Sequence, residues 1–593
     1  MCTFMKSFFT RTDKENIVHG AMMIALFSVI SKVLGLFRYT LLAAYFGTGP
    51  IAESYYAAFR IPDFIYNALV LGALSTAFIP VFLEVYHNKK REKGAIVLQD
   101  LAVEASEEGL SSVNIDFQKQ ISQAAVIPTP RIKKWWRWGK GKEFFQEKFE
   151  SSHWHLTNAL ITSILIVLVF VVGIVWLFTP FLVERMVPGF DENRLSVTIH
   201  LTRIMLLSPI IFGVSNIMSA VLQAFKRFTL FALAPVFYNI GIIIGIVLLY
   251  PAMGPVGLAW GVVLGALLHL GIQLPAVVKL GYRISFILWW QVKEVKKVLR
   301  LILPRAFALS ANQINHLVST FLASSLTAGS LVVFYNAYDI EILPVSLVAV
   351  SFAVSSFPTL GELFINKNNE EFRVVLCSVL QKVLILMIPL TLFMILLRAH
   401  IVRLILGYGV YDWDATVRTL NVLGILAISL VPQGIVPVLA RACYAREDTR
   451  SPVIITVVSM IINIVCALIL VPRYELLGLA LSFTIAAIIH AGFLAAVVEH
   501  TVQGVITLHT LKIVAVYSSA AIIASSALYI SLQIVGDILG TEKVWKLFVQ
   551  SGISFLVGCC AYGFILLFLR DPLVLSVREH LKKRLGLVLK KVF

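Results

Sequence analysis

Runs of twenty or more mostly apolar residues recur along the chain, each closed by a short stretch carrying proline, glycine or charge. A helix of about 20 apolar residues crosses the hydrocarbon of a bilayer, so the pattern predicts membrane-spanning helices. They fall near 17–47, 51–87, 155–184, 195–226, 229–250, 256–278, 295–326, 329–364, 371–398, 415–445, 451–471, 476–499, 508–535 and 546–570. The expected fold is an all-α integral membrane protein with 14 transmembrane helices. Several runs exceed the minimum length, which implies tilt or extension beyond the bilayer.

The pattern also repeats. GLAWGVVLGALLH (257–269) aligns without gaps with GLALSFTIAAIIH (478–490), each opening on Gly-Leu-Ala and closing on histidine. QAFKRFTLFALAPVFYN (223–239) answers ACYAREDTRSPVIITVVSMIIN (442–463), a short basic turn followed by a proline and then an asparagine. A weaker echo relates Gly49, Pro62 and Pro80 to Gly329, Pro344 and Pro358. Spans one to six and seven to twelve therefore read as two copies in the same orientation. That is a common transporter plan, with a substrate site between the halves. The expected domains are an N-lobe over 1–278 with an insertion at 88–154, a C-lobe over 279–499, two unmatched helices over 500–570, and an amphipathic tail over 571–593.

Composition agrees with the pattern. The 593 residues are 59% hydrophobic and 14% charged, with a mean hydropathy of +0.87, where soluble domains carry about a quarter charged residues. The net charge of +17 is distributed by loop. The N-terminal segment, 88–154, 279–300, AREDTR (445–450) and the tail are basic, while GTGP (47–50), PGFDEN (188–193), PAMGP (251–255) and GYGVYDWDA (407–415) are poor in cations. Cations collect on the cytoplasmic side, so both termini are expected in the cytoplasm. The charge reads as topology and contact with anionic membrane lipids, not as a nucleic-acid footprint. The basic-aromatic RIKKWWRWGK within 88–154 reads as an interfacial segment. The six cysteines form no CxxC and no zinc spacing. His269 and His490 read as helix-end or interfacial residues.

No P-loop, HExxH helix or Gly-x-Ser-x-Gly elbow occurs, so the sequence does not point to an enzyme. No cofactor is expected, and transport would run on the membrane potential, an ion gradient or an external partner. The informative groups are the ionisable residues inside spans, each costing ~2.5–3.5 kcal/mol on insertion scales and normally facing a protein interior or a wet cavity. The first half holds Lys32, Arg38, Glu53, Arg60, Asp63 and Arg203; the second holds Arg305, His316, Asp339 and Glu341, with Arg441 near a helix end. Lys32 and Arg38 lie about 9 Å apart in depth and about 120° apart in direction on a straight helix, with Gly35 between them to allow a bend. Lys32, Arg38, Arg60 and Arg305 are candidate substrate-binding cations of a cavity suited to an anion. Glu53, Asp63, Asp339 and Glu341 are candidate gate or charge-pairing residues, and no metal ligands are assigned. The alternative for the first span is that Lys32 snorkels and Arg38 pairs with Glu53 or Asp63.

SKVLGLFRYTLLAAYFGTGPIAESYYAAFRIPDF (31–64) and GALSTAFIPVF (72–82) resemble the opening of the MurJ/MviN lipid II flippases. So do RFTLFALAPVFYNIG (227–241), LILPRAFALSANQIN (301–315), YGVYDWDATVRTLNVL (408–423) and ARACYAREDTRSPV (440–453). The resemblance implies a bacterial inner-membrane protein of the multidrug/oligosaccharidyl-lipid/polysaccharide exporter superfamily. It implies two six-helix lobes around a cationic cavity, a lipid-tail groove formed by the last two spans, and lipid II as the substrate moved to the periplasmic leaflet for cell-wall synthesis. Under it, Lys32 stands where members commonly carry arginine, Arg38 matches the second first-span arginine, and Glu53 matches an aspartate near the periplasmic gate. Three positions depart: Tyr66 and Asp339 stand where arginines are expected, and Leu71 where a glutamate is. Spans seven and eleven lack the carboxylates with which some relatives bind sodium, which leaves sodium unproven as the coupling ion.

Three alternatives follow from the same residues. The departures at the arginine positions suit an exporter of another polyprenyl-pyrophosphate glycan. The superfamily also contains cation-coupled drug antiporters, which a 14-span count and a positive cavity disfavour. The 88–154 insertion would suit a non-transporting scaffold that docks cell-wall synthesis proteins.

Overall fold

The computed structural model describes residues 17–71, 78–86, 152–288, 292–540, 543–576 and 578–579, and all regular structure among them is helical. In chain order the helices are α1 (Ile17–Phe46), α2 (Pro50–Ala58), α3 (Arg60–Tyr66), α4 (Ser152–Met186), α5 (Glu192–Met205), α6 (Leu207–Ala224), α7 (Phe228–Ile244), α8 (Pro255–Lys279) and α9 (Lys293–Ser324). There follow α10 (Ser330–Pro344), α11 (Val350–Ile365), α12 (Asn369–Leu406), α13 (Trp413–Ala427), α14 (Leu430–Ala445), α15 (Arg450–Val502), α16 (Leu508–Leu539) and α17 (Val544–Phe568). Five-residue π turns extend α3 (Asn67–Leu71), α7 (Gly245–Leu249) and α10 (Val345–Ala349). The insertion from 88 to 151 and most of the tail lie outside the described residues.

Local chemistry explains many boundaries. Proline opens α2 and α8, where its missing N–H costs nothing. Asp191 caps α5 by accepting from Arg194 N at 2.8 Å, and Asp412 caps α13 by accepting from Ala415 N at 2.8 Å. Thr507 and Thr510 form a reciprocal cap at the start of α16.

Among the described residues, ten helices are long and apolar enough to cross a membrane, or eleven if the bent pair α13 and α14 is one span. This is fewer than the fourteen expected, and the shortfall has physical causes. The segment 51–87 carries Glu53, Arg60 and Asp63, and its described residues fall into α2, α3, a π turn and a further helical stretch over 78–86. Helix α9 is 32 residues long but polar at both KEVKKVLR and SANQIN. Helices α13 and α14 meet at 46°. Helix α15 runs over 53 residues but contains Glu475 at φ 49, ψ −127. A Cβ on Gly478 would lie 2.4 Å from Leu470 O, whereas eight residues of straight helix span about 12 Å. The chain therefore reverses within α15.

The sequence repeat reappears as backbone geometry. Gly254 (φ 64) and Glu475 (φ 49) occupy equivalent reversals. Lys226 (φ 58) and Glu447 (φ 64) end α6 and α14 in the same way: Arg227 N donates to Leu222 O at 2.8 Å, and Asp448 N to Cys443 O at 3.0 Å. This left-handed termination satisfies carbonyls that the helix end would otherwise orphan. The last two helices pack together and onto α12, burying Tyr517, Ala521, Ala524 and Leu528 against Phe393 and Leu397.

Candidate functional site

The polar centre is assembled from α1, α2, α3, α9 and α10. Tyr56 and Arg60 are four residues apart, as are Tyr335 and Asp339, so each pair shares one helix face. Tyr56 donates its hydroxyl to Asn336 Oδ1 at 2.6 Å and stacks on Tyr335, with centroids 6.3 Å apart. The Arg60 guanidinium lies 3.7 Å from the centroid of Tyr335, while its Nε donates to Tyr56 O at 3.1 Å. Cation–π contact of this kind lowers the cost of holding a guanidinium away from water. Asp339 has the Tyr39 hydroxyl as a polar neighbour and Arg60 and Arg38 as charged ones. Asp63 faces the same two arginines.

Arg38, Arg60, Asp63 and Asp339 are therefore electrostatic neighbours, two cations with two carboxylates, with no ion pair within 4 Å among them. This changes the expected picture of a simple cationic cavity, because the formal charges of these four cancel. Arg38 is not fully engaged: its buried Nε has no hydrogen-bond partner in the protein. A buried unpaired donor carries a penalty of ~1–3 kcal/mol, more when charged. Lys32 lies apart, donating to Ser346 Oγ at 2.5 Å, and so ties α1 to the π turn after α10. Lys32 and Arg38 thus occupy different surroundings.

Glu53 forms a second centre near the loops poor in cations. Its carboxylate pairs with Arg194 at 2.8 Å and accepts from Gly329 N at 2.7 Å, so it joins the starts of α2, α5 and α10. Glu53 thus pairs with Arg194 and not with Arg38, the partner that the alternative for the first span offered it; Arg194 is not among the candidate residues of the sequence. The available signal was the capped helix start Asp191–Glu192–Asn193–Arg194. The backbone N–H of Arg194, and then its guanidinium, hold the Asp191 carboxyl below the usual carboxylate range. Its cap is present above that range and is lost as pH falls through the lowered value.

Other contacts seal this end. Val410 N donates to Ala44 O at 3.1 Å, and Arg418 donates to Ala328 O and Ser330 Oγ. A Cβ on Gly189 would lie 1.8 Å from Ser324 O, so the loop before α5 and the end of α9 approach at backbone distance.

The remaining candidates fall elsewhere. Glu341 is fully buried, but its partners are neutral: Oε1 accepts from Ser429 at 3.1 Å and Gln433 at 2.7 Å, and Oε2 has none. Of the two roles offered for Glu341, gate or charge-pairing residue, no cationic partner for the second is present among the described residues. Arg305 lies on α9, and its side chain is outside the described residues; the Leu71 side chain is likewise outside them. Tyr66 packs on Phe212 at 4.8 Å and lines a cavity of about 210 Å³ with Asp63, Tyr238 and His269. Arg203 stacks on Trp176 at 4.6 Å, away from the cluster. His269 is buried in mid-helix with Ser215 Oγ at 2.6 Å, and His490 lines a second cavity. Neither ends a helix.

The family profile described as "Lipid II flippase MurJ" matches residues 42–103 and 143–549. The chain belongs to the MurJ lipid II flippase family. A probable lipid II flippase MurJ of Vibrio cholerae is 26% identical over 566 residues, covering 95% of this chain and 98% of the relative. The lipid II flippase MurJ of Burkholderia cenocepacia is 24% identical over 484 residues, covering 80% and 82%. Among solved structures, one described as "Lipid II flippase MurJ, inward closed conformation" superimposes with a TM-score of 0.69 at 21% identity, over 93% of this chain and 100% of that one. An inward-facing multidrug transporter of the MATE family gives 0.59 at 12% identity, over 80% and 95%. This MurJ-family chain is thus a multi-pass membrane protein of flippase type, with the transporter fold that MurJ shares with MATE proteins.

Proposed function

We propose that this protein flips lipid II, the undecaprenyl-pyrophosphate-linked peptidoglycan precursor, from the cytoplasmic to the periplasmic leaflet by alternating access. The observation that carries the reading is the length of the match to the lipid II flippase family, over 42–103 and 143–549. The site's chemistry is compatible. Arginine binds phosphate oxygens through charge-assisted, often bidentate hydrogen bonds, and Arg38 retains an unpaired donor. The phosphate competes with Asp63 and Asp339 for Arg38 and Arg60, and Lys32 adds a point charge deeper on α1.

In this reading the chain has 14 spans: beyond eleven, the reversal within α15 adds one, and the polar α9 and the segment from α2 onward add one each. The lobes are 1–278 and 279–499, with the tail groove in 500–570 and both termini in the cytoplasm. Exposed side chains such as Ile522, Ile530, Phe548 and Phe564 on α16 and α17 suit contact with lipid tails. The driving force is the membrane potential or an ion gradient. One observation supports a second reading: Asp339 stands where the family is expected to carry arginine, and it faces Arg38 and Arg60, which would suit a different polyprenyl-pyrophosphate glycan.

Complementation tests the main reading. Expressed in a cell depleted of its own lipid II flippase, the chain should restore growth and outer-leaflet lipid II, and Arg38→Ala should not. Normal periplasmic exposure of lipid II after depletion of this protein in its native bacterium would reject it.

A further inference from the structure

A second cavity, of about 460 Å³, lies inside the second half of the chain between α9, α10, α14 and α15. Its size falls in the ~300–1,000 Å³ range of small-ligand sites. None of its lining residues is Asp, Glu, Lys or Arg. Its walls are instead amides, hydroxyls and aromatic rings, among them Asn315, Gln433, Ser459, Asn463, Tyr338 and Phe483. Two of these polar groups are buried without a protein partner: Asn463 Oδ1 and Ser459 Oγ. They sit four residues apart on one face of α15. Asn463 spends its amide on Asn315 Oδ1 at 3.1 Å, which leaves the carbonyl oxygen as the free acceptor. Native interiors pair almost all such atoms, so these two point to a ligand that donates hydrogen bonds. Opposite them, Tyr338 meets Phe483 edge-on at 5.4 Å and stacks with Phe334 at 6.5 Å.

We propose that this cavity is the subsite for the uncharged sugar of the transported lipid, an inference that rests on the flippase reading above. A sugar presents hydroxyl donors around apolar C–H faces, which matches amide and hydroxyl acceptors beside aromatic walls. A bound cation would favour a carboxylate, and the cavity lining has none. The location also fits. His316 and Tyr338 line the cavity, and the His316 ring lies 6.1 Å from Tyr335, the ring on which Arg60 stacks. In a pyrophosphate-linked glycan the first sugar is bonded directly to phosphate, so the two groups need adjoining compartments of this kind.

The test compares two lipids on the full-length protein in nanodiscs: lipid II, and undecaprenyl pyrophosphate, which lacks the glycan. Wild type should bind lipid II more tightly. Asn463→Leu should weaken lipid II binding about tenfold and Ser459→Ala about threefold, as expected for lost hydrogen bonds, with undecaprenyl pyrophosphate binding held within about twofold. Ser459→Ala is the milder change and serves if Asn463→Leu fails to fold. Equal loss for both lipids, no loss for either, or a loss that depends on sodium rather than on the glycan would each overturn the subsite. If wild type binds both lipids equally, the subsite falls while pyrophosphate recognition stands. If it binds neither, the flippase reading itself falls.

Discussion

At the scale of single residues, the site is defined by competition between carboxylates and an incoming phosphate for the same guanidinium groups. Asp339 and Asp63 compensate Arg38 and Arg60, which lowers the cost of burying two cations in the apo protein. They also weaken the binding of an anion. Asp339→Asn should therefore bind undecaprenyl pyrophosphate about tenfold more tightly, about 1.4 kcal/mol, and release it more slowly. Equilibrium binding together with a vesicle flipping assay checks both parts, and unchanged affinity would show that Asp339 does not compete. Arg60→Lys should behave as a loss of function, because lysine lacks the planar guanidinium that stacks on Tyr335. Arg38, Arg60, Asp63 and Asp339 were all legible as intramembrane charges. Their mutual cancellation was not, because it depends on α1, α3 and α10 converging, and no local pattern encodes that.

At the scale of elements, the seal near Glu53 is held by backbone approaches as much as by charge. Gly189 is the clearest case, since any side chain there meets Ser324 O. Gly189→Ala should disfavour the sealed arrangement by about 1–3 kcal/mol, the usual range for overpacking. Glu53→Ala should act in the same direction by removing a charge-assisted pair and a backbone bond, each of order 1.5–3 kcal/mol. Pulsed spin-label distances between Glu192 and Trp413, both exposed, should lengthen in either variant; an unchanged distance distribution would mean that other contacts dominate. The helices themselves were largely readable from hydropathy, with α4, α8 and α12 close to expectation. The segment 51–87 and α9 were harder, because the charges and amides that serve the interior also depress the apolar signal. His269 and His490 were misplaced for a related reason: a polar residue in an apolar run resembles a helix end unless its buried partner, here Ser215 or a cavity, is known.

At the scale of the whole molecule, the repeat decides how the parts can move. Equivalent reversals at Gly254 and Glu475, and equivalent terminations at Lys226 and Glu447, give the two halves matching frames. Such halves suit rigid-body rocking around a site held between them. Glu53, which binds Arg194 and Gly329, and the contact of Val410 with Ala44 cross from one half to the other on the sealed side, whereas Lys32 reaches Ser346 nearer the other side. If flipping proceeds by alternation, the sealed side must open in every cycle, and the site must remain reachable from the opposite side while it is shut. Cysteines at Ala44 and Val410 are placed to cross-link the seal, since Val410 N donates to Ala44 O at 3.1 Å. The oxidised double variant should still bind lipid II yet lose flipping at least tenfold, and reductant should restore it. Full flipping by the cross-linked protein would exclude alternating access through this gate, because the headgroup would then be crossing by a path that never separates α1 from the loop before α13.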